Sequence, residues 1–336
     1  MNILITGGGG FLGARLARTL LAQGKLSLAG APARAIEGIV LADKAAPPAD
    51  LAADPRVRFA SGDLNDQIAG RALPAAGTEL VFHLAAAVSG ECEADFDLGM
   101  RSNFEATRAL LQACRALGTK PTVVFCSSVG VFGNLPGEPL PALIEDFTLP
   151  TPQSSYGIQK FIGEQLVADF HRKGFIRGRS VRPMTVSVRP GKPNGAASSF
   201  LSGMIREPLA GQKGACPVPP QTVVALSSPT RTIEGIIRAA EATDAQWGPP
   251  TAVNLAALRT TVGEMAAALE QVAGKAATDL LDWTPDPAVL KLVNTWPGNV
   301  AYARATGLGL QADPDFLSIV RDYIRENPGA VKLPLR

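Results

Sequence analysis

Three side chains in this sequence have the types and order needed to take a proton from a carbinol. Tyr156 and Lys160 stand four apart in Tyr156-Gly157-Ile158-Gln159-Lys160, and Ser128 closes the run Phe125-Cys126-Ser127-Ser128 upstream. A spacing of four puts the phenol and the ammonium one turn apart on a single face of a helix expected to begin near Ser154. A phenol with a pKa near ~10 is a poor base at neutral pH, and a neighbouring ammonium stabilises its anion. The Ser128 hydroxyl would hydrogen-bond the reacting oxygen and hold it for transfer. Isolated Tyr-x-x-x-Lys pairs occur on ordinary amphipathic helices. The discriminating feature is the order in which this pair follows a strand-end serine and a glycine loop.

That loop is Thr6-Gly7-Gly8-Gly9-Gly10-Phe11-Leu12-Gly13, directly after the apolar run Asn2 to Ile5 and directly before an apolar-periodic stretch, Phe11 to Gln23. Gly7 permits a tight turn, Gly10 lets backbone approach a pyrophosphate, and Gly13 lets helix pack close to strand. The helix start that carries Phe11 and Leu12 offers free N–H groups to phosphate. The run Ile39 to Ala42 ends on Asp43, whose carboxylate would accept both adenosine ribose hydroxyls and repel a 2′-phosphate, favouring NAD over NADP. Lys44 beside it argues the other way. Asp63 and Leu64, after the third apolar run, are placed at the adenine, and small residues around Ala85 allow close cofactor approach. His83 reads equally as a hydrogen-bonded strand-end residue or a cofactor contact, and no catalytic role is assigned to it. With NAD present, its positive nicotinamide ring would further stabilise a Tyr156 phenolate, and Lys160 could hold the nicotinamide ribose.

The elements that must position these groups alternate. Asn2 to Ile5, Gly38 to Ala42, Val57 to Ala60, Leu80 to Leu84 and Thr122 to Ser127 read as buried strands, with helical stretches such as Phe11 to Gln23 and Met100 to Leu117 between them. The expected fold is an α/β Rossmann-type doubly wound parallel sheet of about seven strands, with a small C-terminal substrate-binding lid. Residues 1–190 would form the core, and 191–336 mainly the lid, with segments returning to the core. Gly24 to Glu37 reads as an inserted surface loop. Thr261-Val262-Gly263-Glu264 is a capping box ahead of a helix, and another helix is expected from Asp315 to Arg325.

Composition narrows the partners. The 32 basic and 30 acidic residues leave a net charge of +2 with no basic block, which disfavours nucleic acid and anionic membranes and favours a small ligand. The four cysteines form no CxxC pair, and with two histidines there is no zinc pattern, so no metal is expected. The sequence enters a strand at once, without a signal-peptide pattern, and a cytoplasmic enzyme is expected.

These motifs resemble the extended short-chain dehydrogenase/reductase superfamily over almost the whole chain. Ser128-Val129-Gly130-Val131-Phe132-Gly133 matches the segment that follows that group's catalytic serine, and Asn103 matches an Asn that supports the cofactor side of the site. Within the superfamily the sequence is similar to the D-erythronate dehydrogenase subfamily, in Ala94 to Arg101, Thr151 to Gly157, Ser187 to Asn194, Ala197 to Phe200 and Arg206 to Leu209. This likeness implies NAD-dependent oxidation of a small sugar acid at carbon 2, and a homodimer formed through the helices around Met100 to Leu117 and Tyr156 to Lys173. An anionic substrate needs a cation, so Arg182, Arg189 and Lys192, with Ser128, Asn194 and Ser199 reading hydroxyls, are the expected substrate residues. Two departures bear on the pocket: Arg182-Pro183-Met184-Thr185 replaces an Arg-Leu-Pro-Thr pattern, and Thr222 to Leu226 lacks an Arg and a bulky aromatic. The alternatives are a nucleotide-sugar epimerase or dehydratase that keeps its NAD, and a non-catalytic NAD-responsive regulator.

Overall fold

A computed structural model describes residues 1–191 and 196–336; Lys192 and Asn194 therefore lie outside the described residues. The chain divides into two units. The first comprises Met1–Val131, Ser154–Arg182 and Ile233–Val253, and the second Phe132–Gln153, Pro183–Thr232 and Asn254–Arg336. Beside the sequence boundary near residue 190, with later segments returning to the core, residues 132–153 lie in the second unit and 233–253 return to the first.

The first unit is built on β1 (Asn2–Thr6), β2 (Gly38–Asp43), β3 (Val57–Ser61), β4 (Thr78–His83), β5 (Thr122–Cys126), β6 (Arg177–Arg182) and β7 (Val253–Asn254), in sheet order β7-β6-β5-β4-β1-β2-β3. Strands β1 to β6 pair in parallel. Their middles are apolar on both faces: Ile3 to Ile5, Leu80 to Phe82 and Val123 to Phe125 are all buried, as a sheet covered on both sides requires. From β1 the chain winds outward through β2 and β3, and from β4 it winds the other way through β5 and β6. The order thus reverses between β1 and β4, and the carboxyl ends there are Thr6 and His83, with Asp43 and Cys126 on the strands flanking them. A reversal of this kind opens a crevice for a ligand.

Three helices matter for the site. α1 (Phe11–Gln23) ends at Gly24, whose φ of +66° closes it in the left-handed conformation. α2 (Ala106–Ala116) is preceded by a π-helical turn, Met100–Glu105. α3 (Ser155–Arg172) starts at Ser154, whose side chain accepts from Gly157 N. The segment after α1 is not a plain loop, because Lys25–Leu26 and Arg34–Ala35 pair as a short antiparallel ribbon.

The second unit is more than a small lid, since it has its own core. Leu201, Met204, Ile205, Leu226, Met265, Leu269 and Val320 pack together, beside a sheet in which Val223–Ser227 pairs with Thr185–Val186 and Leu258–Thr261. The expected capping box forms: Thr261 caps Val262–Ala273 while Glu264 reaches back to the Thr261 N–H. Asp315 likewise caps Phe316–Glu326.

Candidate active site

The glycine loop is shaped by contacts that a side chain would forbid. Gly7 has φ +72°, and a Cβ there would meet Ala85 N at 2.8 Å; one on Gly13 would lie 2.1 Å from Gly7 O. A Cβ on Gly10 would meet Gly7 O at 3.3 Å, tight but not forbidden. Sequence reasoning passed over Gly9, where a Cβ would sit 2.2 Å from Ala45 O, so this glycine lets the loop press against the end of β2. No side chain caps α1 and no acidic residue stands in its first turn, where Phe11 and Leu12 are half-buried. A pyrophosphate meets there the free N–H groups and the backbone access it needs. The cradle fits a dinucleotide.

Asp43 is anchored to this loop. Its Oδ2 accepts from Gly9 N and its Oδ1 from Ala45 N, both at 3.0 Å, so the carboxylate is fixed at the strand end. Lys44 turns away to Asp63, 2.9 Å off, which removes the ambiguity its position in the sequence raised. Asp63 also meets Arg101 and caps the helix that Leu64 begins, through Asn65 N. Burial opposes its ionisation, but Lys44, Arg101 and the Asn65 N–H outweigh burial and hold it at about 2. Ala85 N donates to Thr6 Oγ1 at 3.2 Å, and Thr6 Oγ1 lies 2.7 Å from His83 Nδ1. His83 Nε2 faces Thr107 Oγ1 at 2.9 Å, and that hydroxyl donates to Asn103 O at 2.6 Å. The direction of the chain makes His83 a neutral ring protonated at Nε2. Burial first, then Lys160, hold its pKa at about 3, and His83 is structural.

Ser128, Tyr156 and Lys160 come together. Ser128 Oγ accepts from Gly130 N at 3.0 Å and hydrogen-bonds the Tyr156 side chain. Lys160 Nζ donates to Cys126 O at 2.8 Å and lies 5.7 Å from the centre of the Tyr156 ring. Burial pushes the Tyr156 phenol up, only partly offset by the Ser128 hydrogen bond. Burial likewise pushes the Lys160 ammonium down. Without the nicotinamide ring that the sequence reading joins to the ammonium, burial dominates the phenol, and Lys160 is held on a carbonyl.

Helix periodicity adds a residue that the sequence reading missed. Glu164 follows Lys160 by one turn, and its Oε1 accepts from Ser127 Oγ at 2.5 Å. Its two oxygens also take Arg182 Nε and Nη2 at 2.8 and 2.7 Å, with both side chains buried. Arg182 thus pairs with the helix that carries Tyr156 and Lys160, its Nε and Nη2 both engaged by Glu164. The spacing of 4 and 8 from Tyr156 carried the signal for Glu164, and an acid on a buried stripe demands a cation.

In the second unit, Arg189 N donates to Ser202 Oγ at 3.0 Å and Arg189 O accepts from Arg206 Nη1 at 2.8 Å. Its guanidinium is half-buried and has no hydrogen-bond or carboxylate partner among the described residues, while burial and then Arg206 push its pKa down. Ser199 ends the short turn Ala197–Ser199 that leads into the helix Phe200–Leu209. Among the described residues no group of three His, Cys, Asp or Glu could hold a metal, and no helix is long and apolar enough to cross a membrane.

Comparison with known proteins agrees with this arrangement. Residues 3–231 match the model of the NAD dependent epimerase/dehydratase family. The chain is 48% identical to a D-erythronate dehydrogenase of Cupriavidus necator over 99% of its own length and 100% of the relative's. It is 40% identical to a D-erythronate dehydrogenase of Haemophilus influenzae, over 96% and 99% of the two chains. Among solved structures, a nucleoside-diphosphate-sugar epimerase from Agrobacterium tumefaciens superposes with a TM-score of 0.85 at 37% identity, covering 98% of this chain and 95% of the other. The Rossmann-type fold and the likeness to the extended dehydrogenase/reductases are borne out.

Proposed function

We propose that this chain, which belongs to the NAD dependent epimerase/dehydratase family, is an NAD-dependent dehydrogenase that oxidises the carbon-2 hydroxyl of a small sugar acid, D-erythronate or a related aldonate, to the 2-keto acid. The observation that carries the reading is full-length identity of 48% to a protein named D-erythronate dehydrogenase. The loop at Gly7, Gly10, Phe11, Leu12 and Gly13, with Asp43, Asp63, Leu64 and Ala85, would hold NAD, and Lys160 would reach its nicotinamide ribose. NAD when bound supplies the hydride acceptor and a positive ring that favours the Tyr156 phenolate. Tyr156 accepts the hydroxyl proton. Ser128, whose oxygen accepts from Gly130 N and whose hydroxyl bonds Tyr156, would turn its proton to the substrate oxygen. The carbon gives up its C–H electron pair with the hydrogen, and the C–O bond becomes a carbonyl. Lys160, fixed on Cys126 O, keeps positive charge beside the phenolate.

Arg189 is the proposed carboxylate reader, with Lys192, Asn194 and Ser199 as further substrate residues. A half-buried guanidinium with another Arg as neighbour and no acid of its own among the described residues calls for an anion. We place the enzyme in the cytoplasm as a homodimer formed through α2 and α3, without nucleic-acid or membrane partners. The exposure of Ile158 on α3 and of nearby Phe96 supports that dimer face.

The 37% identity to a nucleoside-diphosphate-sugar epimerase favours a second reading, in which NAD stays bound and the hydride returns to the same sugar. Val223 to Leu226 offers no Arg for a diphosphate, which weighs against it. Mixing the protein with aldonates of four to six carbons and NAD separates the two, because only the dehydrogenase accumulates free NADH in proportion to substrate consumed.

A further inference from the structure

We infer that Gln159 is a positioning residue, clamped by Asn103 and Gly99, that sets the rotation of α3 and so the aim of Tyr156 and Lys160. Gln159 stands between those two residues, is 1% exposed, and its Oε1 accepts from Asn103 Nδ2 at 2.9 Å. Asn103 in turn makes a paired bond to Ala87, its Oδ1 accepting from Ala87 N at 2.8 Å and its Nδ2 donating to Ala87 O at 3.1 Å. Ala87 closes the small-residue segment after β4. The clamp thus ties the cofactor side of the site to the helix that carries the base.

Two independent observations point to Gln159 as placed for more than stability. Its Nε2 is buried and has no partner among the described residues, a cost that an apolar side chain of similar size would avoid. Gly99 has ordinary helical backbone, with φ −59°, where alanine is the better helix former. Yet a Cβ at Gly99 would lie 2.7 Å from Gln159 Nε2 and 3.1 Å from its Oε1, with Cys92 Cβ next at 3.2 Å. The glycine is there to admit the amide. Asn103 lies in the π turn Met100–Glu105 that follows, and such turns are frequent near functional sites.

The consequence for the reaction rests on the proposed dehydrogenase activity, whereas the clamp is testable without it. Gly99→Ala, Gln159→Ala and the double variant form a cycle, with the equally short Gln159→Ser in place of Gln159→Ala if the latter does not fold. In thermal unfolding, Gly99→Ala should lower the midpoint in the native background and lower it clearly less where Gln159 is Ala, the Cys92 contact remaining in both. In turnover of the best aldonate, each single variant should lower kcat about tenfold and move the rising limb of its pH profile to higher pH, with the Kd for NADH held within about twofold. The double variant should be no worse than Gln159→Ala. Additive effects on unfolding overturn the clamp, whatever the substrate. Unchanged kcat and pH profile in the single variants overturn its positioning role. A native chain that oxidises no aldonate contradicts the substrate reading alone, and the unfolding cycle still decides the clamp.

Discussion

Lys160 Nζ donates to the main-chain carbonyl of Cys126 at 2.8 Å, so the catalytic helix is fastened to the strand end that presents Ser128 two residues later. Glu164, one turn on, fastens the intervening Ser127. The three groups proposed to react, Ser128, Tyr156 and Lys160, are therefore set by one helix face and one strand terminus, and each can be perturbed separately.

Tyr156→Phe should reduce turnover by roughly 100-fold or more, with NADH binding little changed, if the phenol is the proton acceptor as proposed. Burial holds that phenol up, and oxidation needs its anion. The rate of oxidation in the native enzyme should therefore rise with pH, and that of keto-acid reduction, which needs the protonated phenol, should fall over the same range. Steady-state rates in both directions across pH check this.

Asp43→Ala should weaken NAD binding and relax discrimination against NADP, since the carboxylate fixed by Gly9 N and Ala45 N is what a 2′-phosphate would face. The kcat/KM ratio for the two cofactors is the measurement. An unchanged ratio would remove Asp43 from the cofactor site.

The two arginines should separate. Arg182→Ala leaves Glu164 buried without its cation and should cost about 3–5 kcal/mol in urea unfolding. Arg189→Ala should leave stability within about 1 kcal/mol and raise KM for the aldonate at least tenfold, as loss of a charge-assisted pair would.

His83 gives the fold a pH dependence. Its pKa is about 3 when folded and near ~6.5 when unfolded, so the unfolded chain binds more protons between these values. The stabilisation is whole above pH ~6.5 and is lost as pH falls towards 3. Urea unfolding from pH 7 to 5 should show free energy falling with pH, and His83→Gln should flatten that slope; the half-exposed His171, also pushed down by burial, leaves a smaller residue.

Much of this was legible in the sequence where local rules act alone. The strands are continuous apolar runs, the Ser154, Thr261 and Asp315 caps precede their helices, and the glycine loop has a fixed spacing. Long-range pairings were not legible. Nothing near Arg182 marks it as Glu164's partner, because the pair joins residues 18 apart across a helix and a strand. The needs of Gly9 and Gly99 arise from Ala45 and Gln159, far along the chain. Segment 233–253 returns to the first unit because β7 adds to the edge at β6, an alignment that local periodicity does not encode.

The central claim is net oxidation of a sugar acid, and the direct measurement is the absorbance of reduced nicotinamide when purified protein meets D-erythronate and NAD, alongside Tyr156→Phe. The account predicts NADH accumulating many times in excess of enzyme, with one keto acid formed per NADH, and near-silence from the variant. No NADH beyond one equivalent per active site from any aldonate of four to six carbons, or full turnover by Tyr156→Phe, would contradict it.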